Sequence, residues 1–264
     1  MATTLMLIMI VLLLLGFPMM IPLITAALAG FYMMFGGIGQ MDTFIQQVLG
    51  GIRPASLIAV PMFILAADIM TRGQSANRLI NMVMTFIGHI RGGLAISTAT
   101  SCTLFGAVSG STQATVVAVG SALRPKLLKA GYSDSFSLAL IINASDIAFL
   151  IPPSIGMIIY GVISETSIAE LFIAGIGPGF LILFLFSIYC LIYATVNNVP
   201  TEEKATWSER SKSLREAIWP MGFPAIIIGG IYGGIFSPTE AAAACVIYAL
   251  IIEVLIFRTM NLGN

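Results

Sequence analysis

Long apolar runs alternate with short polar connections along the chain. The first charged residue is Asp42, and the windows 92–123, 171–201 and 217–239 also carry no charge. Because about 20 apolar residues span the hydrocarbon of a bilayer, each run is long enough to cross or deeply enter a membrane. The pattern therefore predicts an all-α polytopic membrane protein. The predicted full spans are residues 55–71, 76–90, 168–197, 217–236 and 238–257.

The first apolar run, residues 3–36, is interrupted by Gly16, Pro18 and Pro22, which weaken or kink helices. It predicts either one long bent helix or two short ones. No basic residue precedes the run, so we expect a retained membrane segment rather than a cleaved signal peptide. The mixed polarity of residues 41–53 indicates an interfacial segment.

Composition excludes several classes of protein. The chain is 58% hydrophobic and 9% charged, with 12 basic and 12 acidic residues. It therefore has no net positive charge to attract nucleic acid, which excludes a nucleic-acid-binding protein. The three cysteines lie far apart, which indicates packing residues rather than disulfides or a zinc site. The sequence has neither a phosphate-binding Gly-x-x-x-x-Gly-Lys loop nor a Ser, His and Asp set. We therefore expect neither ATP hydrolysis nor any other enzymatic activity.

The polar segment 201–216 sets the orientation. It holds four basic residues, Lys204, Arg210, Lys212 and Arg215. The positive-inside rule places this segment in the cytoplasm, as an amphipathic arm. The chain crosses the membrane twice between the basic group Arg124, Lys126 and Lys129 and this segment. The basic group therefore lies on the same, cytoplasmic side.

Residues 92–123 predict a re-entrant helical hairpin. Their 32 residues exceed one span, whereas two full spans need about 40. Ser109, Gly110, Ser111 and Thr112 form the expected tip, because glycine reverses the chain easily and hydroxyls satisfy freed backbone groups. A single crossing fits the distribution of basic residues equally well, so that alternative stays open.

Residues 134–163 predict a broken helix. Pro152 and Pro153 remove two amide donors in succession, so the helix is expected to split near Phe149–Ser154. Freed carbonyls there, with the side chains of Asn143, Asp146 and Ser154, are hard oxygen ligands of the kind that sodium takes in broken-helix transporters. The alternative is a proline kink that neighbouring groups repair.

Two aspartates receive different interpretations. A carboxylate inside a span is costly, so Asp146 is expected to face the bundle interior or an aqueous cavity. The alternative is that Asp146 has a structural role, as the partner of a backbone donor or of an arginine. Asp68 stands four residues before Arg72, which favours a solvated ion pair on a helix.

Two helix starts have the spacing of a capping box, in which a serine and a glutamate three residues later satisfy free backbone N–H groups. The pairs are Ser237 with Glu240, and Ser167 with Glu170.

Five motifs in this order resemble the large membrane subunit of tripartite ATP-independent periplasmic (TRAP) transporters. They are Phe105-Gly106-Ala107-Val108-Ser109-Gly110-Ser111-Thr112, Arg124-Pro125, Gly131-Tyr132, Ile151-Pro152-Pro153-Ser154 and Ser237-Pro238-Thr239-Glu240-Ala241. The resemblance covers nearly the whole chain. It implies a multi-pass subunit of the bacterial inner membrane that contacts the lipid bilayer.

The resemblance also implies a function. Such a subunit belongs to a sodium-driven secondary transporter that receives organic acids, including dicarboxylates and sialic acids, from a periplasmic substrate-binding protein. It pairs with a small membrane subunit and uses no cofactor, with sodium as the coupling ion. The implied sodium and substrate site comprises Ser109, Gly110, Ser111, Thr112, Asn143, Asp146, Pro152 and Ser154. Sodium itself is assigned to Ser109, Asn143 and Asp146.

The implied architecture is an elevator built from inverted repeats, each with a re-entrant hairpin and a broken helix. The expected divisions are scaffold helices in 1–91, the first hairpin and broken helix in 92–163, a span and the cytoplasmic arm in 164–216, and an incomplete second repeat in 217–264. Family members are longer, so a C-terminal truncation is expected. Two alternatives stay open: a binding-protein-independent divalent-anion sodium symporter, and a non-transporting membrane scaffold subunit.

Overall fold

The computed structural model describes residues 1–35 and 41–259, and every regular element in these two ranges is helical. The predicted all-α fold class is therefore confirmed. The helices form two compact units, Met1–Pro54 and a second that begins at Ala55.

Among its described residues, the first unit contains three helices, α1 (Ala2–Leu14), α2 (Met20–Phe35) and α3 (Met41–Gly51). The chain reverses between α1 and α2 at Gly16, whose φ of +80° suits a residue without a Cβ atom. Of the two sequence alternatives for residues 3–36, two short helices are therefore confirmed.

Over residues 55–259, the second unit contains nine α-helices and three shorter helical turns. The α-helices are α4 (Ala59–Arg72), α5 (Ser75–Ile87), α6 (Gly93–Ser109), α7 (Thr112–Lys129), α8 (Asp134–Ser145), α9 (Ile155–Ser164), α10 (Ile168–Val196), α11 (Trp207–Tyr232) and α12 (Pro238–Leu250). The 3₁₀ turns are Ala55–Ile58 and Asp146–Phe149, and a π-helical turn, Ile251–Ile256, follows α12.

The two larger hydrophobic clusters of the described residues hold the second unit together. One joins α4, α5, α11 and α12 around the fully buried Phe63, Met70 and Phe223. The other joins α6, α7, α8 and α10 around Phe105 and Leu123. All three cysteines are buried and free, as expected of packing residues.

In the described part of the chain, three helical stretches are long and apolar enough to cross a membrane: Ala55–Arg72, Ile168–Val196 and Pro238–Ile256. They match three of the five predicted spans. Only 17% of the most apolar window of α10 is buried within the chain, and an all-round apolar helix of this kind needs a lipid or protein environment. This pattern supports a membrane protein.

The other two predicted spans do not meet the same criterion. Helix α5 has 13 residues and is therefore about 20 Å long, which is shorter than the hydrocarbon core. Helix α11 starts at Trp207, so the predicted polar arm and the predicted span 217–236 share one helix of 26 residues. Arg215 and Glu216 in its first half leave too short an apolar part.

Helices α4 and α5 pack in the same unit as the predicted hairpin. The assignment of scaffold and transport domains along the chain stays a prediction.

Candidate functional site

The predicted hairpin is formed by α6 and α7, which are joined at Gly110 and Ser111. Gly110 ends α6 in the left-handed conformation, with a φ of +60°, and its N–H donates to the carbonyl of Gly106 at 2.8 Å. Ser111 is extended and begins α7 without a side-chain cap. The predicted tip, Ser109–Thr112, is thus confirmed as a turn, although the second helix continues to Lys129 rather than ending at 123.

Buried hydroxyls hold the tip in shape. The Ser109 and Thr115 side chains have no exposed surface, and their hydroxyl oxygens lie 2.9 Å apart. Thr115 Oγ1 donates to the Ser111 carbonyl at 2.9 Å, and the Ser111 N–H donates to Ser109 Oγ at 3.3 Å. Thr112 Oγ1 is buried with no hydrogen-bond partner among the described residues. The tip therefore concentrates hydroxyl and backbone oxygens in a small volume.

The predicted split of residues 134–163 is confirmed. Helix α8 ends at Ser145, a 3₁₀ turn follows, and α9 starts at Ile155. The irregular residues 150–154, called the break below, include the cis peptide Pro152–Pro153. Ser154 Oγ accepts a hydrogen bond of 3.2 Å from the Met157 N–H and so caps α9.

The tip and the break are in direct contact. The Ile155 N–H donates to the Gly110 carbonyl at 3.3 Å. A Cβ atom on Gly110 would lie 2.7 Å from the Pro153 carbonyl oxygen, and one on Gly106 would lie 2.7 Å from the Cβ of Ala148. Only glycine allows the two backbones to approach this closely.

The structure therefore brings the tip, Ser109–Thr112, next to the break, which contains Pro152 and Ser154, through the contacts of Gly110 with Pro153 and Ile155. Whether these six predicted residues form one binding site stays a prediction. Asn143 and Asp146 do not join them, because both are exposed on the surface of this chain. The Asn143 amide donates to the Ala139 carbonyl at 2.7 Å, and no described residue forms a hydrogen bond with the Asp146 carboxylate.

Of the two positions expected for Asp146, the bundle interior or an aqueous cavity, it does not take the first within this chain. In the 3₁₀ turn its neighbours Ile147 and Ala148 take the buried positions, and Asp146 turns outward. Asn143 lines a different groove of about 450 Å³ beside the aromatic rings of Phe136, Tyr189 and Tyr193. Whether either residue binds sodium stays a prediction.

A cleft opens beside the tip and is called the tip cleft below. Its volume is about 430 Å³, and it lies between α4, the hairpin and the start of α9. Its polar lining is Asp68, Thr71, Ser109, Ser111 and Gln113. Asp68 is the one charged side chain among the described residues that line it.

Sequence reasoning missed three of these residues. Thr71 and Gln113 were not considered, although Gln113 directly follows the tip. Asp68 was assigned only to an ion pair with Arg72, and that pair does exist, with 2.8 Å between Arg72 Nε and Asp68 Oδ2. The spacing of two residues along one helix can indicate that they form an ion pair. It does not indicate which other helix faces that pair across a cleft.

Comparison with known proteins matches residues 6–264 to the family described as tripartite ATP-independent periplasmic transporter, DctM component. The chain is 78% identical, over 97% of its length, to an ectoine TRAP transporter large permease protein of Halomonas elongata. It is 75% identical, over its full length, to an ectoine/5-hydroxyectoine TRAP transporter large permease protein of Ruegeria pomeroyi.

A C4-dicarboxylate TRAP transporter large permease protein of Pseudomonas aeruginosa is 41% identical over 79% of the chain. The chain covers 60% and 62% of the lengths of the two ectoine permeases and 49% of the dicarboxylate permease. It thus spans about three fifths of the two relatives with the higher identity.

Proposed function

The chain belongs to the DctM component family of tripartite ATP-independent periplasmic transporters, and from this membership we propose that it forms part of a secondary transporter that imports ectoine or a closely related solute. The observation that supports ectoine as the substrate is the difference in sequence identity between two groups of relatives. The ectoine permeases are 78% and 75% identical, against 41% for a dicarboxylate permease. Dicarboxylates and sialic acids, which the sequence analysis expected, have less support.

Ectoine shares one feature with the expected organic acids and differs in another. It carries a carboxylate, which the uncapped first turn of α7 suits because backbone N–H groups at a helix start have no intrahelical partner and favour negative charge. It also carries a cationic amidine, so that the molecule is a zwitterion. A site for ectoine therefore needs groups for both charges.

Sodium coupling forms the second part of the proposal. The tip contains the Ser109 hydroxyl, and the neighbouring Gly110 lies against the interrupted backbone at Pro153. Hydroxyl and freed carbonyl oxygens are ligands of the type that coupling ions use. Ser109 is the proposed ligand from this chain. Asn143 and Asp146 remain predicted ligands, but they lie outside this contact.

The remaining parts of the proposal rest on the family. A periplasmic binding protein delivers the substrate, a small membrane subunit completes the membrane complex, and the inner membrane of a bacterium holds it. An elevator movement with inverted repeats is the proposed mechanism. The hairpin of α6 and α7 with the broken helix of α8 and α9 would form the moving half-site.

The test is uptake by proteoliposomes that contain the complete large permease and its small subunit. With the binding protein outside and an inward sodium gradient, labelled ectoine should accumulate, and removal of either should stop it. Accumulation of a C4-dicarboxylate instead would contradict the substrate. Uptake without binding protein would favour the binding-protein-independent symporter, and no uptake of any solute would favour a scaffold subunit.

A further inference from the structure

The tip cleft contains a negative charge that the proposed sodium site does not use. We propose that Asp68 binds the cationic group of the transported solute and thereby selects zwitterions over dianions. This inference rests on the function proposed above, because it assigns a residue to the cationic half of that substrate.

The position of Asp68 supports direct contact with a solute. It lies on α4 and lines the cleft opposite Ser109, Ser111 and Gln113 of the hairpin. Its Oδ2 lies 2.8 Å from Arg72 Nε in an ion pair, and no described residue forms a hydrogen bond with Oδ1. Arg72 is not among the lining residues, so it holds the carboxylate from outside the cleft. One carboxylate oxygen is therefore oriented and free.

The opposite wall offers hydrogen-bond donors. Ser111 Oγ donates to Gln113 Oε1 at 3.1 Å, which fixes the Gln113 amide and leaves its NH₂ group without a partner among the described residues. The NH₂ group and the first-turn amides of α7 can donate to a carboxylate. The cleft thus presents an acceptor on the α4 side and donors on the hairpin side, which matches a small zwitterion.

The same arrangement disfavours a dianion. A second carboxylate on a solute held at the hairpin would point towards Asp68, and like charges placed side by side disfavour binding. The cleft volume of about 430 Å³ also suits one small ring compound, being at the lower end of ordinary ligand pockets. Charge, rather than size, is therefore the expected basis of selection.

The experiment measures binding of labelled ectoine to the purified complex of the complete large permease and small subunit, at saturating sodium and without binding protein. Asp68→Asn should weaken ectoine binding about tenfold, the usual cost of one charge-assisted hydrogen bond. Competition by succinate should become stronger in the same variant. The sodium concentration that gives half-maximal binding should stay within about twofold.

Two control variants separate recognition from structure. Asp134 forms an equally exposed pair with Arg124, 2.9 Å apart, away from the cleft, so Asp134→Asn should bind ectoine like the unmodified protein. Arg72→Gln breaks the Asp68 pair but keeps the carboxylate, so it should change ectoine binding by no more than about threefold.

Three results would overturn the inference. Ectoine binding by Asp68→Asn equal to that of Asp134→Asn would remove Asp68 from the site. Equal losses in Asp68→Asn and Arg72→Gln would assign the pair a structural role. If the unmodified complex binds and transports no ectoine, the proposed function fails first and the inference fails with it, so the two failures are distinguishable.

Discussion

The backbone N–H of Ile155 donates to the carbonyl of Gly110, so the first residue of α9 is hydrogen-bonded to the turn between α6 and α7. This bond joins two elements that the sequence separates by more than 40 residues. It makes the tip and the break one structural unit. A change at either side should therefore be transmitted to the other.

Gly110→Val should abolish uptake while leaving assembly with the small subunit intact. The new side chain would begin 2.7 Å from the Pro153 carbonyl oxygen and would push tip and break apart. A non-glycine residue in the left-handed region also costs about 1 kcal/mol. Uptake in proteoliposomes and co-purification of the small subunit are the measurements.

Gly131→Val is the matched control for this variant. Gly131 also has a positive φ, of +95°, but a Cβ atom there would meet no atom within 4 Å. It therefore carries the backbone penalty without the close approach. Normal uptake by Gly110→Val, or equal losses in both variants, would contradict a functional contact between tip and break.

The sequence predicted these two interruptions because their causes are local. A glycine among hydroxyls reverses the chain, and two successive prolines stop a helix wherever they occur. The contact between them depends on the packing of Gly106 against Ala148, which no spacing in the sequence reveals. The outward position of Asp146 likewise follows from the 3₁₀ turn at the end of α8, where an α-helical pattern no longer applies.

Ser109→Ala should raise the sodium concentration for half-maximal uptake about fivefold, because it removes one proposed oxygen ligand. Ser121→Ala is the control, since its hydroxyl is exposed on α7 and donates only to the Ala118 carbonyl. Uptake of ectoine is measured as sodium is varied at constant ionic strength.

Asp146→Asn tests the second predicted sodium ligand. A raised sodium requirement would show that this exposed carboxylate takes part, whereas lower stability with an unchanged sodium response would indicate a structural role. Unchanged sodium dependence in both Ser109→Ala and Asp146→Asn would refute the sodium assignment.

Glu253 has the most enclosed carboxylate among the described residues, and the sequence analysis did not consider it. It has no exposed surface and accepts hydrogen bonds from the N–H groups of Gln74 and Ser75, both at 3.1 Å, from the Ser75 hydroxyl, and from Thr259 Oγ1 at 2.7 Å. It thus caps α5 from the π-helical turn after α12. Nothing local in the sequence indicates this pairing, because 178 residues separate Ser75 from Glu253.

Glu253→Ala should destabilise the protein by about 3 kcal/mol, since it leaves several buried donors without an acceptor. The thermal unfolding temperature of the purified complex is the measurement. Glu203→Ala, which removes an exposed carboxylate, should leave that temperature unchanged. Equal unfolding temperatures for the two variants would show that the buried hydrogen bonds contribute nothing.

The start of α11 should loosen in acid. Glu209 accepts from the Thr206 N–H at 2.7 Å, and this hydrogen bond and the one from the Thr206 hydroxyl lower the pKa of its carboxyl below the ordinary 4.5. A lowered pKa means that the stabilisation is complete above 4.5 and is lost as the pH falls through the folded-state pKa. Hydrogen exchange at Thr206 and Arg210, whose N–H groups are hydrogen-bonded at this helix start, should therefore show less protection in acid, after correction for intrinsic rates. Glu209→Gln should remove this pH dependence, and a persistent dependence would assign it to another group.

The last prediction concerns how the hairpin sits in the membrane, which the distribution of basic residues leaves undecided. Helices α6 and α7 have 17 and 18 residues, or about 26 Å each, which is slightly less than the thickness of the hydrocarbon core. A re-entrant hairpin returns the chain to the side that it left. Arg91→Cys and Lys126→Cys are both at exposed positions, and both should react with an impermeant thiol reagent from the cytoplasmic side only. The three native cysteines are buried and should contribute little background. Reaction of the two variants from opposite sides would mean a single crossing, and the tip would then be no entrance to a binding site.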